Sequence, residues 1–320
     1  MFQNVYLIFN PVSGQGNADR ELAIIQEVIA SATRLSILKT TTDIPARQLA
    51  DQAVKAGADC VIASGGDGTV STVAGALIDT DICLGIVPRG TANAITAAFG
   101  INTDIRSACH TVLSGIPRQV DMASCNGQPL MLLAGVGLEA DVISQANRQL
   151  KNRVGSAAYI LSAFREVREL STFRVELETP DRIIAVDASG ITVANVAPAT
   201  SVLAQGPSDV LPYDGLLDVT IFAPEGTGGA IAASYSLFQS ALNKRSSKRE
   251  DVGYFRTASV KITADPAQKV VLDGEITGET PIEIHCVERG ITLMTPKDGG
   301  NFDPLEKLDG LPNLEIHYKS

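Results

Sequence analysis

The stretch from Cys60 to Ala76, CVIASGGDGTVSTVAGA, decides how the first part of the chain folds. Cys60–Ala63 reads as a short buried strand, and a helix follows from about Val70 to Ile78. Between them Gly65, Gly66 and Gly68 surround one carboxylate, Asp67. Glycine there costs backbone entropy and contributes no packing, so either something approaches the backbone closely or the turn needs positive φ. A strand ending in glycines before a helix offers unobstructed N–H groups beside a helix N-terminus, a phosphate site by geometry and dipole. Asp67 fits that reading only if a divalent cation bridges it to the phosphate, directly or through water. The other reading is a glycine turn in which Asp67 merely caps, with Thr69 a further capping candidate.

The same alternation extends outward. Val5–Phe9, Leu35–Leu38 and Ile82–Val87 read as strands, Ala18–Ile29 and Ala46–Ala56 as helices, and another helical stretch follows Ala92. Short apolar strands alternating with amphipathic helices indicate a parallel sheet with crossover helices. Ligands of such sheets bind outside the carboxyl ends of the strands. Asn10–Gly14, Gly65–Thr69 and Arg89–Asn93 each follow a strand and therefore share that edge.

After Asp121 the texture changes. Asn126-Gly127 is a hairpin signal. Strand-like runs recur at Thr172–Glu178, Ile183–Ala188, Ile191–Val196, Leu217–Phe222, Ser259–Ala264, Lys269–Leu272 and Pro281–Val287, interrupted by helical stretches at Ala157–Leu170 and Gly229–Lys244. The expected division is an α/β domain over 1–121, an antiparallel β domain over 122–296, and a segment, 297–320, with no assigned place.

Composition narrows the function classes. The 320 residues are 45% hydrophobic and 19% charged, which suits a packed globular enzyme. A net charge of −10 argues against nucleic-acid binding and against simple electrostatic docking on anionic membrane. Cys60, Cys83, Cys109, Cys125 and Cys286 show no CxxC spacing, so free thiols in a reducing compartment are expected. The N-terminus has no basic region before its apolar run, and no apolar run approaches bilayer length. A cytoplasmic protein with at most peripheral membrane contact is the expectation. His110, His285 and His317 are isolated and read as structural.

Several motifs invite over-reading. Gly135-x-Gly137-x-x-Ala140 meets the dinucleotide form, but it sits where the β domain begins, with no acid about twenty residues on. There is no P-loop. Asp273-Gly274 between two strands is first a hairpin turn, and Asp214-Gly215 invites the same reading.

Taken in order, the motifs Asn10-Pro11-x-Ser13-Gly14, the Thr40-Thr41 region, Gly65–Thr69, Pro88–Asn93, Gly135–Ala140, Lys151 with Gly155 and Tyr159, Asp214–Val219 and Asp273-Gly274-Glu275 resemble the bacterial diacylglycerol kinase-like lipid kinases, related to sphingosine and ceramide kinase catalytic domains. The resemblance covers nearly the whole chain. It implies a Rossmann-like nucleotide-binding α/β domain, a β-sandwich-like second domain, and an active site in the cleft between them. It implies ATP held by Asn10, Ser13, Gly14, Thr40, the run Gly65, Gly66, Asp67, Gly68, Thr69, Val70 and Ser71, and then Gly90, Thr91 and Asn93. It implies Mg²⁺ organised by Asp67, Asp273 as general base with Glu275 beside it, and a supporting metal site at Asp214 and the main-chain oxygens of Leu211 and Leu216. The acceptor would be a lipid hydroxyl, presented at a membrane surface. The chain departs from the family at Ala94, where members often carry an Asp belonging to the Mg-nucleotide network. Two other readings stay open: an NAD kinase-like phosphotransferase, and a nucleotide- or lipid-binding homologue without turnover.

Overall fold

The computed structural model describes residues 2–14, 16–138, 171–197, 210–226, 247–296 and 306–319, with 201, 204, 228–230, 232–233 and 236–237 between them. The chain divides into two compact units, Met1–Met122 with Glu288–Asn301, and Ala123–Val287 with Phe302–Ser320.

The first unit is built from β1 (Asn4–Phe9), α1 (Ala18–Ala30), β2 (Arg34–Lys39), α2 (Ala46–Lys55), β3 (Cys60–Gly65), α3 (Asp67–Ala76), β4 (Cys83–Pro88), α4 (Ala94–Ala98), α5 (Ile105–Ser114) and the start of β5 (Ile116–Cys125). The strands run parallel in the order β2-β1-β3-β4. Every residue of β3 and β4 is buried, as expected of parallel strands covered on both faces. Helix α1 packs with α5, and α2 with α3. Helix starts follow local chemistry: the Asn17 side chain accepts the Arg20 N–H at α1, and Asp104 accepts the Ser107 N–H at α5. Helix α5 lies close on β4 because position 85 is glycine. A Cβ there would stand 2.8 Å from Val112 Cγ2.

The second unit contains β6 (Gln128–Leu130), β7 (Leu133–Gly137), β8 (Phe173–Glu178), β9 (Arg182–Ala188), β10 (Gly190–Ala194), β11 (Leu217–Phe222), β12 (Val252–Thr257), β13 (Ser259–Asp265), β14 (Lys269–Leu272), β15 (Glu275–Glu279), β16 (Ile282–Thr295, its first half) and β17 (Glu315–Tyr318). Its strands form two antiparallel arrays, β17-β9-β8-β13-β16 and β12-β11-β10-β7-β14-β15. Strands β8 and β9 alternate buried and half-exposed residues, presenting one apolar face. Phe173, Val186, Ile262 and Ile284 share a core with Val193, Val219 and Phe255 of the other array. The fold is therefore the expected parallel α/β domain followed by an antiparallel, sandwich-like β domain.

Several elements differ from the sequence reading. The run read as Pro281–Val287 continues to Thr295, its later residues pairing in parallel with β4. The strand kinks at Arg289 (φ +51), whose N–H bonds the buried Asp121 carboxylate at 2.7 Å, so a side chain stands in for a strand partner. Strands β12 and β15 have no counterpart in the sequence reading. The end of the chain, which the sequence left unplaced, supplies β17 on β9, and Lys307 pairs with Tyr254. The expected helix Ala157–Leu170 lies outside the described residues. Of Gly229–Lys244, the described residues as far as Leu237 are helical.

All five cysteines are free, and burial pushes the Cys83 and Cys109 thiols up to about 12, leaving them inert. Among the described residues, no helix is long and apolar enough to cross a membrane.

Replacing Gly85 by Val should destabilise the first unit by about 1–3 kcal/mol through overpacking against Val112. Val112→Ala in the same chain should recover part of that loss, a coupling measurable by urea denaturation of the two single variants and the double.

Candidate active site

Three loops leave the carboxyl ends of β1, β3 and β4, and their contacts answer the question raised by the glycines. None of Gly65, Gly66 and Gly68 adopts positive φ. Close approach is what they permit. A Cβ on Gly90 would lie 2.7 Å from Gly66 Cα, so the loops after β3 and β4 touch backbone to backbone. Gly14 does have positive φ (+84°), and a Cβ there would meet the Arg89 carbonyl oxygen at 2.3 Å. The loop after β1 thus presses on the loop after β4.

Side chains complete the stack. Asn10 donates through Nδ2 to Thr69 Oγ1 at 3.0 Å, and its Oδ1 accepts the Val12 N–H. Ser13 Oγ accepts the Gly66 N–H at 3.3 Å. Thr40, half-buried after β2, donates its N–H to the Phe9 carbonyl at 2.9 Å. Thr69, Val70 and Ser71 are buried in α3, whose N-cap is Gly66 without a side-chain cap. Thr69 therefore does not cap the helix; its hydroxyl serves Asn10. Gly68 and Thr91 are exposed, and Gly90 and Asn93 are half-buried. Asp67, at the first position of α3, accepts the Ile95 N–H on Oδ1 at 2.9 Å. It thereby caps the start of α4, a neighbouring helix rather than its own. Ala94 is the first residue of α4.

Arg89 lies inside the Pro88–Asn93 motif, but nothing in that motif ranks it as a site residue. Its side chain is 1% exposed, donating to Glu21 at 2.6 Å and to the Asn10 carbonyl at 2.5 Å, with its guanidinium 4.3 Å from the Phe9 ring centre. One buried cation thus ties α1, the loop after β1 and the loop after β4 together. The only signal available was an arginine in an otherwise small-residue turn.

The other expected residues lie in the second unit. Asp273 and Gly274 form the turn between β14 and β15, with φ +46° and +90°, a type I′ geometry. The Asp273 carboxylate accepts three main-chain N–H groups: Met131 on Oδ2 at 2.9 Å, and Leu132 and Leu133 on Oδ1 at 2.8 and 3.1 Å. The bend 131–133 is in turn fixed by buried Asn195, which donates its side-chain amide to Met131 O at 2.9 Å and its N–H to Leu132 O at 2.8 Å. Sequence reasoning missed Asn195, which belongs to no motif. Glu275 is exposed at the start of β15. Leu211, Asp214 and Leu216 lie before β11, where Asp214 Oδ1 accepts the Leu216 N–H and Oδ2 pairs with Arg256. Burial pushes the nearby Asp218 carboxyl up to about 7, with the Arg256 guanidinium pulling it back down. Among the described residues, no group of three or more His, Cys, Asp or Glu side chains is placed to hold a metal ion.

Residues 4–125 match the family described as the diacylglycerol kinase catalytic domain, and residues 133–295 match the YegS C-terminal NAD kinase beta sandwich-like domain. The protein sll0036 of Synechocystis sp., whose name assigns no activity, is 44% identical over 302 residues, 91% of this chain and 70% of that protein. The diacylglycerol kinase of Bacillus subtilis is 28% identical over 298 residues, 91% of this chain and 96% of that protein. Among solved structures, a candidate diacylglycerol kinase from Bacillus anthracis str. Sterne matches with a TM-score of 0.79 at 26% identity, covering 92% of this chain and 98% of that one.

Arg89→Met should destabilise the first unit by about 3 kcal/mol, because Glu21 and the Asn10 carbonyl lose a buried cationic partner. Chemical denaturation checks the stability loss.

Proposed function

The chain belongs to the diacylglycerol kinase catalytic-domain family, and from that premise we propose that it transfers the γ-phosphate of ATP to a hydroxyl of a diacylglycerol-like lipid. The observation that carries this reading is the stack of small-residue loops at the carboxyl ends of β1, β3 and β4, beside the N-terminus of α3. Bare backbone at a helix N-terminus accepts phosphate closely, and the helix dipole favours its charge.

In this proposal Asn10, Ser13, Gly14 and Thr40 hold the nucleotide from one side. Gly65 to Ser71, with Gly90, Thr91 and Asn93, line its phosphates. Asp67 would hold Mg²⁺, which when bound neutralises charge developing on the phosphates. Among the described residues no group of three or more His, Cys, Asp or Glu side chains gathers to hold a metal, so in this proposal the ion at Asp67 would draw its other ligands from phosphate and water. Asp273 takes the proton of the lipid hydroxyl as its oxygen bonds to the γ-phosphorus and the bond to the ADP oxygen breaks, with Glu275 adjacent. General-base help of this kind contributes typically about 10²–10⁴-fold, with positioning and charge stabilisation supplying the rest. The clamp of three N–H groups holds the Asp273 carboxylate in one orientation. The lipid is presented at a membrane surface by peripheral contact. The sequence Lys244-Arg245-Ser246-Ser247-Lys248-Arg249 is basic enough to touch anionic headgroups, but Arg249 is committed to Asp251 at 2.6 Å, so it is a poor headgroup ligand.

A second reading has its own support. Position 94 lacks the family's carboxylate and Asp67 is engaged in capping α4, which favours nucleotide binding without turnover. Assaying γ-phosphate transfer across diacylglycerol, ceramide and sphingosine decides between them. Lipid-dependent ADP release supports the kinase, and its absence with every acceptor supports the binding protein.

Asp273→Asn should lower transfer by about 10²-fold or more while ATP affinity stays near wild type. The substitution is not silent structurally. With its oxygen on the Leu132 and Leu133 N–H groups, its amide nitrogen faces the Met131 N–H, which costs about 1–3 kcal/mol. Denaturation of the variant separates that loss from the chemistry, and wild-type turnover in it would remove Asp273 from the base role.

Ala94→Asp tests the departure from the family. The new carboxylate starts at the first residue of α4, one position from the N–H already bonded by Asp67. Without metal the like charges should lower the melting temperature slightly. With Mg²⁺ and nucleotide the pair should tighten apparent metal affinity, seen as a shift in the Mg²⁺ titration of binding.

A further inference from the structure

We infer that the Arg256 guanidinium is the resident cation of the Asp214 loop, and that this loop keeps its shape without the divalent ion implied for Leu211, Asp214 and Leu216. Arg256 stands on β12 directly opposite Asp218 of β11 in the antiparallel register. Its Nε donates to Asp218 Oδ1 at 2.9 Å and its Nη1 to Asp214 Oδ2 at 2.5 Å. The other Asp214 oxygen accepts the Leu216 N–H at 3.1 Å. Both carboxylate oxygens of the one charged ligand in the implied metal set are therefore engaged, one of them by a full positive charge.

The residues present do not fit a divalent ion. An ion on Asp214 would face the guanidinium across one carboxylate, and like charges this close repel strongly where water is scarce. The arginine has little freedom to withdraw. The strand register fixes its backbone, and its second partner, Asp218, is 1% exposed. Leaving would deprive that buried carboxyl of its guanidinium hydrogen bond, and removing one partner of a buried pair is destabilising. A guanidinium supplies what the loop needs instead: a permanent positive charge with several donors in a planar fork, bonding two carboxylates at once. The strand thus brings its own counter-ion to the loop, and no metal is required to close it.

This inference extends the lipid-kinase reading, under which any Mg²⁺ requirement would then reduce to the ion travelling with the nucleotide. Its test needs no catalysis. Mn²⁺ binding to the purified chain without nucleotide is followed by electron paramagnetic resonance, comparing wild type with Asp214→Asn, Arg256→Met and the double variant. The expected result is no Mn²⁺ site in wild type that Asp214→Asn removes, and a melting temperature unmoved by millimolar Mg²⁺ at matched ionic strength. Arg256→Met should gain a Mn²⁺ site that the double variant loses. Mn²⁺ bound elsewhere, indifferent to Asp214→Asn, leaves the loop metal-free as inferred. One Mn²⁺ per wild-type chain, abolished by Asp214→Asn, would overturn the inference. If Arg256→Met does not fold, the comparison of wild type with Asp214→Asn decides alone. Failure of the phosphate-transfer assay would count against the kinase reading and leave these binding results untouched.

Discussion

Gly66 and Gly90 meet with no side chain between them, and much of the first unit follows from that contact. The contact requires glycine at position 90, where a Cβ would stand 2.7 Å from Gly66 Cα. Gly14 adds the third loop on the Arg89 carbonyl. The glycines usually explained by what a ligand needs are thus also required by what the loops need from each other. The two demands agree, because a surface of bare backbone is both what packs this tightly and what leaves N–H groups accessible at the start of α3.

Bare backbone alone would not hold such loops in place. Glycine-rich segments have high conformational entropy in the unfolded chain, so something must fix them. Arg89 does so in the first unit, spanning α1, the loop after β1 and its own loop through one buried guanidinium. The second unit solves the same problem with the opposite charge. Asp273 gathers three N–H groups of the bend 131–133, and Asn195 holds that bend from behind. In each unit one charged side chain gives an irregular segment a single geometry: buried Arg89 through the Glu21 carboxylate and the Asn10 carbonyl, half-buried Asp273 through three main-chain N–H groups. Hydrogen bonds to a charged group are stronger than neutral ones, which suits them to segments lacking a regular ladder.

Legibility in the sequence followed the same physics. The strands β3 and β4 were readable because every residue is buried, so their composition is apolar or small, and β1 was readable from its apolar run Leu7–Phe9. Helices α1 and α2 carry a clear apolar periodicity, and Asn126-Gly127 can hardly be anything other than a tight hairpin. Strand β12 escaped notice because Val252–Thr257 mixes Gly, Tyr and Arg with no alternation, its identity resting on neighbours supplied from elsewhere in the chain. Strand β15 is exposed at every residue and leaves no hydrophobic trace. The kink at Arg289 depends on Asp121, a residue 168 positions away. For the candidate site, the loops were legible as motifs, but the direction of each side chain was not. Asp67 reads the same whether it caps its own helix or reaches the N–H of Ile95.

That last contact bears on how the first unit would respond to charge. Asp67 opens α3 and bonds the first turn of α4, so a change at the start of one helix is transmitted to the start of the other through a single carboxylate. A cation drawn to Asp67 competes with the Ile95 N–H for the same electron density. Here Ala94 leaves one carboxylate for both tasks. The carboxylate has a second oxygen, and lone pairs enough to serve an N–H and a cation together, so the tasks are compatible in principle. They are nonetheless coupled: whatever strengthens one draws charge away from the other. The loop 88–93 is packed on Gly66 at its start and ends at α4, so it lies between the two ends of that coupling. It is therefore the segment whose conformation should report most directly on whether an anion occupies the start of α3, as proposed.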